Sequence, residues 1–187
     1  MLEPRKYSRT HSEENNTMKK TALSSVPQCP RRYWLFKSEP SVFGIEHLAK
    51  SPRQTAPWDG VRNYQARNFL RDDVRVGDRV LFYHSREEPL GIFGTMEVVR
   101  AGYADHTAFD PGSKYFDSKS KLEAPRWFMV DVKLIARFAV SISREQLAAD
   151  AVAAKMLVLK RGMRLSIQPV TETEWQAVLR LAGVACE

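Results

Sequence analysis

The sequence predicts a small α+β barrel, in which several strands outnumber a few short helices. Three observations carry this expectation. Segments of strand character recur at Tyr33–Ser38, Val80–Ser85, Gly91–Arg100 and Trp127–Phe138. The segments with helical spacing between them are short. No regular strand–helix–strand alternation builds a parallel βαβ sheet. Neither an internal repeat nor an interior linker interrupts the run from Tyr33 onward, so one domain is expected over 33–187.

Each element has its own local reason. In Tyr33-Trp34-Leu35-Phe36 the large apolar side chains are consecutive, which marks a strand covered on both faces, and Pro40 ends it. Ile45–Lys50 is long enough for one or two helical turns. Asn63–Leu70 reads as a helix with Ala66, Phe69 and Leu70 on one face. Val80-Leu81-Phe82-Tyr83-His84-Ser85 is again apolar on both faces. Arg86–Leu90 turns the chain into the returning strand Gly91–Arg100. In the longest strand, Phe128, Val130, Val132 and Leu134 alternate with Trp127, Met129, Asp131 and Lys133. That predicts a core face made of the first set. Ser143 with Gln146, and Thr171 with Glu174, form capping boxes that open helices. The last helix carries Trp175, Val178, Leu179 and Ala182 at helical spacing and ends near Gly183.

The 187 residues are 43% hydrophobic and 27% charged, enough apolar material for one buried core. No apolar run approaches the ~18–20 residues of a membrane-spanning helix, so no membrane partner is expected. Residues 1–32 hold seven Lys/Arg against three Glu, a net +4; residues 33–187 hold 22 Lys/Arg against 19 Asp/Glu, a net +3. The basic character therefore belongs largely to the first 32 residues. These are polar and aperiodic and are expected to be disordered or loosely attached. Met18-Lys19-Lys20-Thr21-Ala22-Leu23 resembles the opening of a secretory signal, but Ser24, Ser25, Pro27 and Pro30 interrupt the apolar stretch that should follow. Met18 is an alternative start to Met1.

Several chemistries lack their motifs. Gly-x-Gly-x-x-Gly, the P-loop, Gly-x-Ser-x-Gly and His-Glu-x-x-His do not occur. Cys29 and Cys186 have neither a disulfide framework nor zinc spacing, and none of His11, His47, His84 and His106 is paired at metal spacing. His84 and Ser85 are neighbours on a strand, so their side chains diverge and do not form a nucleophile–base pair.

The densest polar-aromatic stretch runs from Pro57 through Asn68. Asn63 and Arg67 lie one turn apart at the border of the helix's apolar face, and Tyr64, Arg67 and Arg71 form a neighbouring stripe. Amides offer a donor and an acceptor together, and rings offer stacking faces, the combination that reads a flat heterocycle. Periodicity by itself favours a simpler reading, an amphipathic helix with a solvated edge beside a core Trp58. Ser38, Tyr83, Ser85 and Trp127 lie at strand ends, where each has an ordinary structural role when taken singly. Together they describe aromatic walls with a few polar groups, the make-up of a small-ligand or base pocket.

These residues also carry a family resemblance. Tyr33-Trp34-Leu35-Phe36-Lys37-Ser38-Glu39-Pro40, Trp58-Asp59-Gly60-Val61-Arg62-Asn63-Tyr64-Gln65-Ala66-Arg67-Asn68 and Phe82-Tyr83-His84-Ser85 resemble the EVE domain. So do Tyr115-Phe116-Asp117-Ser118-Lys119-Ser120, Pro125-Arg126-Trp127 and Arg164-Leu165-Ser166-Ile167-Gln168-Pro169, in the same order; Ser118 stands where family members often have Pro. The resemblance spans about Tyr33 to Leu181. It implies a PUA-like fold, a mixed β-barrel with short flanking helices, and kinship with the YTH domains that read methylated adenine in RNA. It implies a non-enzymatic module, without cofactor or metal, whose partner is DNA or RNA carrying a modified base, chiefly a modified cytosine in DNA. A monomer is expected, in the nucleus of a eukaryote or the cytoplasm of a bacterium.

By the same resemblance the base pocket would draw on Lys37, Ser38, Trp58, Asn63, Tyr83, His84, Ser85 and Trp127. Ser38 matches the YTH position of a base-edge contact and Trp58 that of a cage wall. Arg62, Arg67, Arg71 and Arg164 would hold phosphates. Taking a base out of a duplex costs a few kcal/mol. Stacking on an aromatic ring returns about 1–3 kcal/mol. Two other readings stay open on the residues: a small hydrolase or transferase acting on a nucleotide-like ligand, and a protein-interaction adaptor.

Overall fold

The computed structural model describes residues 30–184; the expected tail over 1–32 falls, except for its last three residues, outside the described residues. Six strands form one sheet: β1 (Tyr33–Ser38), β2 (Thr55–Trp58), β3 (Arg79–His84), β4 (Gly91–Ala104), β5 (Phe128–Ser143) and β6 (Ile167–Val170). Their order across the sheet is β2-β5-β4-β3-β1-β6. β1 and β3 are parallel and the remaining neighbours antiparallel, so the sheet is mixed. Its outer strands β2 and β6 are not paired with each other, which leaves the curved sheet open. The helices are short: α1 (Pro40–Phe43), α2 (Ile45–Lys50), α3 (Tyr64–Asn68), α4 (Arg144–Ala149) and α5 (Glu172–Leu181). This is the α+β architecture that the sequence predicts.

The sheet is covered on both faces, which is why β1 and β3 read as continuous apolar runs. Trp34, Phe36, Val80 and Phe82 face one core with Trp58, Leu70, Met96, Val130 and Val132. Leu35 and Leu81 face the other, with Ile92, Leu147, Met156, Trp175 and Val178. The α5 helix opens on the Thr171–Glu174 capping box and buries Trp175, Val178 and Leu179. Each such side chain is worth about 1.5–3 kcal/mol of burial. α4 opens on the Ser143–Gln146 box.

Several boundaries differ from the sequence expectation. β2 is an edge strand that periodicity does not show; Pro57 within it lacks an N–H, which an edge strand tolerates. α3 ends at Asn68, and Phe69–Asp73 continue as a wider π turn. Its N-cap is Asn63, whose Oδ1 accepts from the Ala66 N–H at 3.0 Å. β5 runs on to Ser143 and begins at Phe128, so Trp127 lies just outside it. The expected one-sided burial of this strand holds for Val130, Val132 and Leu134, whereas Met129 and Trp127 are buried too and Phe128 is half-buried. The reason is the loop between β4 and β5. It folds back over that end of the sheet, donating the Asp105 N–H to the Trp127 carbonyl (3.0 Å) and accepting the Trp127 indole N–H at Asp117 (2.7 Å). The β4–β5 ladder shifts register between Val98 and Arg100 and again between Arg100 and Tyr103 at the same place. Such irregularities bend a strand pair.

Candidate functional site

β2 ends at Trp58 and delivers the indole to the floor of a cleft of about 970 Å³. Trp58 is only 5% exposed. Three rings hold it: Phe36 and Phe82 with centroids at 5.3 Å, and Phe43 edge-on at 5.8 Å. Trp58 is thus both a core residue and a cleft wall, and the two readings of it describe one side chain. Phe43 and Tyr115 add further aromatic surface to the cleft, which Tyr83 borders while its ring is buried in the second core beside Leu35 and Leu81.

The segment after Trp58 makes one side of the cleft. Gly60 has φ +70°, a left-handed conformation, and a Cβ there would lie 2.5 Å from the Tyr115 ring. Only glycine fits both demands. Its N–H donates to Asp105 Oδ2 at 2.9 Å. Arg62 donates to the same oxygen at 2.7 Å, to the Tyr115 carbonyl and to Thr107 Oγ1. Asp105 is fully buried. Burial alone would raise its pKa, but hydrogen bonds from Arg62, Thr107 and Gly60 outweigh that and hold it below the usual carboxylate value. This buried pair fixes the 58–63 turn against the loop that carries Tyr115.

Asp59 lines the cleft between these two fixed residues, and its carboxylate makes no hydrogen bond or ion pair with a described residue. Burial, and next the charge of Asp105, push its pKa up, against the pull of His106, Arg62 and Lys114. The second acid of the cleft, Glu39, is engaged by Arg86 at 3.1 Å.

Cations also line the cleft. The Lys37 ammonium donates to the Met163 carbonyl at 3.3 Å; burial, then the charge of Arg144, lower its pKa. Arg144 donates to the Val158 carbonyl at 2.9 Å, and Arg164 is exposed, without a partner among the described residues.

The cleft brings together Lys37, Ser38, Trp58, Asn63, Tyr83 and Ser85 of the sequence-derived base set, with Arg62 and Arg164 of the phosphate set. The other four lie elsewhere. His84 sits behind the cleft, where its Nε2 accepts from the Ile45 N–H at 3.1 Å and its ring stacks on Phe93 with centroids at 3.9 Å. Burial lowers its pKa, outweighing the opposing charge of Glu46. Trp127 is buried beneath Tyr64, with ring centroids at 5.0 Å, and backs the cleft only through Arg62, whose guanidinium lies 5.2 Å over its ring. Arg67 donates to the Arg126 carbonyl and lies over Tyr64. Arg71 forks onto Asp72 and packs over Phe128. Sequence reasoning missed Asp59, Tyr115, Arg144 and Met163 as cleft residues. For Asp59 a signal was present, an acid beside the wall tryptophan. The other three come from distant segments, and only the folded sheet brings them near.

No helix among the described residues is long and apolar enough to cross a membrane, and no group of three or more acidic, His or Cys side chains among them converges as a metal site.

Comparison with known proteins agrees with the fold. The model of the EVE domain family matches residues 32–181. Human thymocyte nuclear protein 1 is 39% identical over 185 residues, covering 90% of this chain and 82% of its own. A hypothetical protein from Leishmania major superposes with a TM-score of 0.77 at 46% identity, over 82% of this chain and 95% of that one. The human THYN1 protein, solved in complex with DNA containing 5-methylcytosine, superposes with a TM-score of 0.75 at 40% identity, over 83% and 99% of the two chains. With a family model over most of its length, and relatives this similar in sequence and in fold, the chain belongs to the EVE domain family.

Proposed function

We infer that this protein is a reader of modified bases in DNA, with a modified cytosine taken out of the base stack and held in the Trp58 cleft. The observation that carries this is the cleft itself: an indole packed against three rings, polar groups at the turn beside it, and cations among the residues that line it. The likeness to a protein solved with 5-methylcytosine DNA supports the same reading. A flipped base needs a stacking face, edge contacts and phosphate contacts, and the cleft offers one group of residues for each. Trp58, Phe43 and Tyr115 supply apolar and aromatic surface. Ser38, Asn63 and Ser85 supply polar contacts. Asn63 uses its Oδ1 on the α3 N-terminus, which leaves its amide N–H groups for an acceptor on the base. Arg164, Arg144 and Lys37 supply charge for the flanking phosphates.

The reading is of a binding module, not an enzyme. His84 Nε2 is occupied by a backbone N–H, and the Ser85 hydroxyl is 3.3 Å from the Ser38 carbonyl, to which it donates. Neither is arranged to activate the other. The test is a fluorescence-anisotropy panel of short DNA and RNA strands, each with one central cytosine, 5-methylcytosine, 5-hydroxymethylcytosine or methylated adenine. Tightest binding to a modified cytosine in DNA is expected. Equal binding to every strand would overturn the proposal, and preference for an RNA strand would transfer it to RNA.

A further inference from the structure

5-Methylcytosine and thymine carry the same ring methyl and nearly the same shape. They differ at the edge formed by positions 3 and 4, where cytosine has an acceptor nitrogen and an amino group and thymine an N–H and a carbonyl. A pocket that read only the methyl and the ring faces would fill with thymine, which every DNA strand presents. A modified-cytosine reader therefore needs an acceptor aimed at the 4-amino group. We propose that Asp59 is that acceptor, its carboxylate taking a hydrogen bond from the 4-amino group of the bound cytosine and excluding the 4-carbonyl of thymine. This rests on the modified-base reading above and specifies which edge of the base the cleft recognises.

The geometry selects Asp59 among the cleft residues. A carboxylate accepts and does not donate, so it meets an amino group well and a carbonyl oxygen badly. The cleft has two carboxylates, and Glu39 is engaged by Arg86. Asp59 follows the wall tryptophan directly and precedes the immobilised Gly60, so its backbone is fixed on both sides. Its side chain is half-buried without a hydrogen bond to any described residue. That is costly for an unliganded acid and is relieved by a donor on a ligand. The groups around it are Arg62, Lys114, His106 and Asp105, with the Tyr103 phenol also close enough to feel its charge. Arg62 is committed to Asp105 and the Tyr115 carbonyl and does not turn to Asp59. Asn63, close by in the same turn, brings amide donors, which suit the ring nitrogen or the 2-carbonyl of the same base.

The decisive variant is Asp59→Asn, which keeps the shape. Its amide can accept from a 4-amino group or, turned over, donate to a 4-carbonyl, so it loses the ability to choose. The full-length chain is titrated with single-stranded oligonucleotides identical except for a central 5-methylcytosine, cytosine or thymine. Wild type is expected to hold the 5-methylcytosine strand about tenfold or more tightly than the thymine strand, the factor a rejected polar contact typically brings. Asp59→Asn should bring the two within about threefold, with its salt dependence unchanged. A variant that keeps the wild-type ratio, or a wild type that prefers 5-methylcytosine to cytosine but not to thymine, would overturn the role of Asp59 alone. A wild type that does not separate 5-methylcytosine from cytosine would overturn the modified-base reading, and this inference with it. Folding is controlled by thermal melts: the charge on half-buried Asp59 is unfavourable, so the variant should melt at or above the wild-type temperature.

Discussion

Arg62 and Asp105 are joined by a 2.7 Å ion pair whose acid is wholly buried. This pair joins the turn after β2 to the loop before β5, and so sets the width of the cleft between Trp58 and Tyr115. The Arg62 donors are already engaged within the protein, where they shape the cleft.

Removing Arg62 leaves Asp105 buried without its cation. Arg62→Ala should cost about 3 kcal/mol or more of stability, the usual result of orphaning one member of a buried pair. Denaturant unfolding checks this. Because the folded pKa of Asp105 lies below its ordinary value of 3.8, its stabilising contribution is full above about that pH and is lost as pH falls through the folded value. Asp105→Asn should thus be less stable than wild type at neutral pH, with a shallower loss of melting temperature on acidification. Parallel pH profiles for the two proteins would contradict this account of the pair.

The packing of Trp58 and the stacking role proposed for it are separated by different substitutions. Trp58→Ala empties a packed core and should cost about 3–5 kcal/mol of stability. Trp58→Phe keeps a ring among Phe36, Phe43 and Phe82, so it should fold while losing part of the preference for the modified base. Melts and titrations on one preparation test both. A Trp58→Phe protein with undiminished preference would remove the indole from base recognition.

The salt dependence of binding should be shallow. Lys37, Arg144 and Arg164 are the cleft cations not tied to an acid. Three contacts on duplex DNA give a slope of log K against log salt of roughly −2 to −3. Arg164→Ala should flatten it by about 1. Arg71→Ala should leave it unchanged, because Arg71 lies outside the cleft, paired with Asp72. An equal change in both variants would place the phosphates along the α3 stripe.

Val130 lies fully buried between β2 and β4. Val130→Asp puts an unpaired charge in that core and should abolish cooperative folding, seen as loss of the thermal transition. Wild-type stability would mean that β5 presents its other face to this core.

Much of the fold was legible because local signals and burial agree. The apolar runs of β1 and β3 mark strands covered twice, and the two capping boxes sit at the starts of α4 and α5. What escaped was decided by distant partners. β2 is held as a strand by its pairing with β5 despite Pro57. Met129 and Trp127 are buried by a loop whose path no periodicity reveals. The cleft was legible where its residues cluster in sequence, at Trp58–Asn63, and illegible where Tyr115, Arg144 and Met163 arrive from elsewhere. Arginines are the hardest case. Arg62 and Arg164 look alike in sequence, and only the position of Asp105 makes one of them structural.

The most direct measurement of the central claim is an NMR spectrum of the protein with DNA carrying one 5-methylcytosine labelled with ¹³C at its methyl. A flipped base in the cleft predicts nuclear Overhauser contacts from that methyl to the rings of Trp58, Phe43 or Tyr115, and the methyl resonance should move by ring-current shift as protein is added. Contacts to Tyr64 or Trp127 instead, or a methyl that stays at its free-duplex position while the protein is saturated, would contradict the assignment of this cleft as the base pocket.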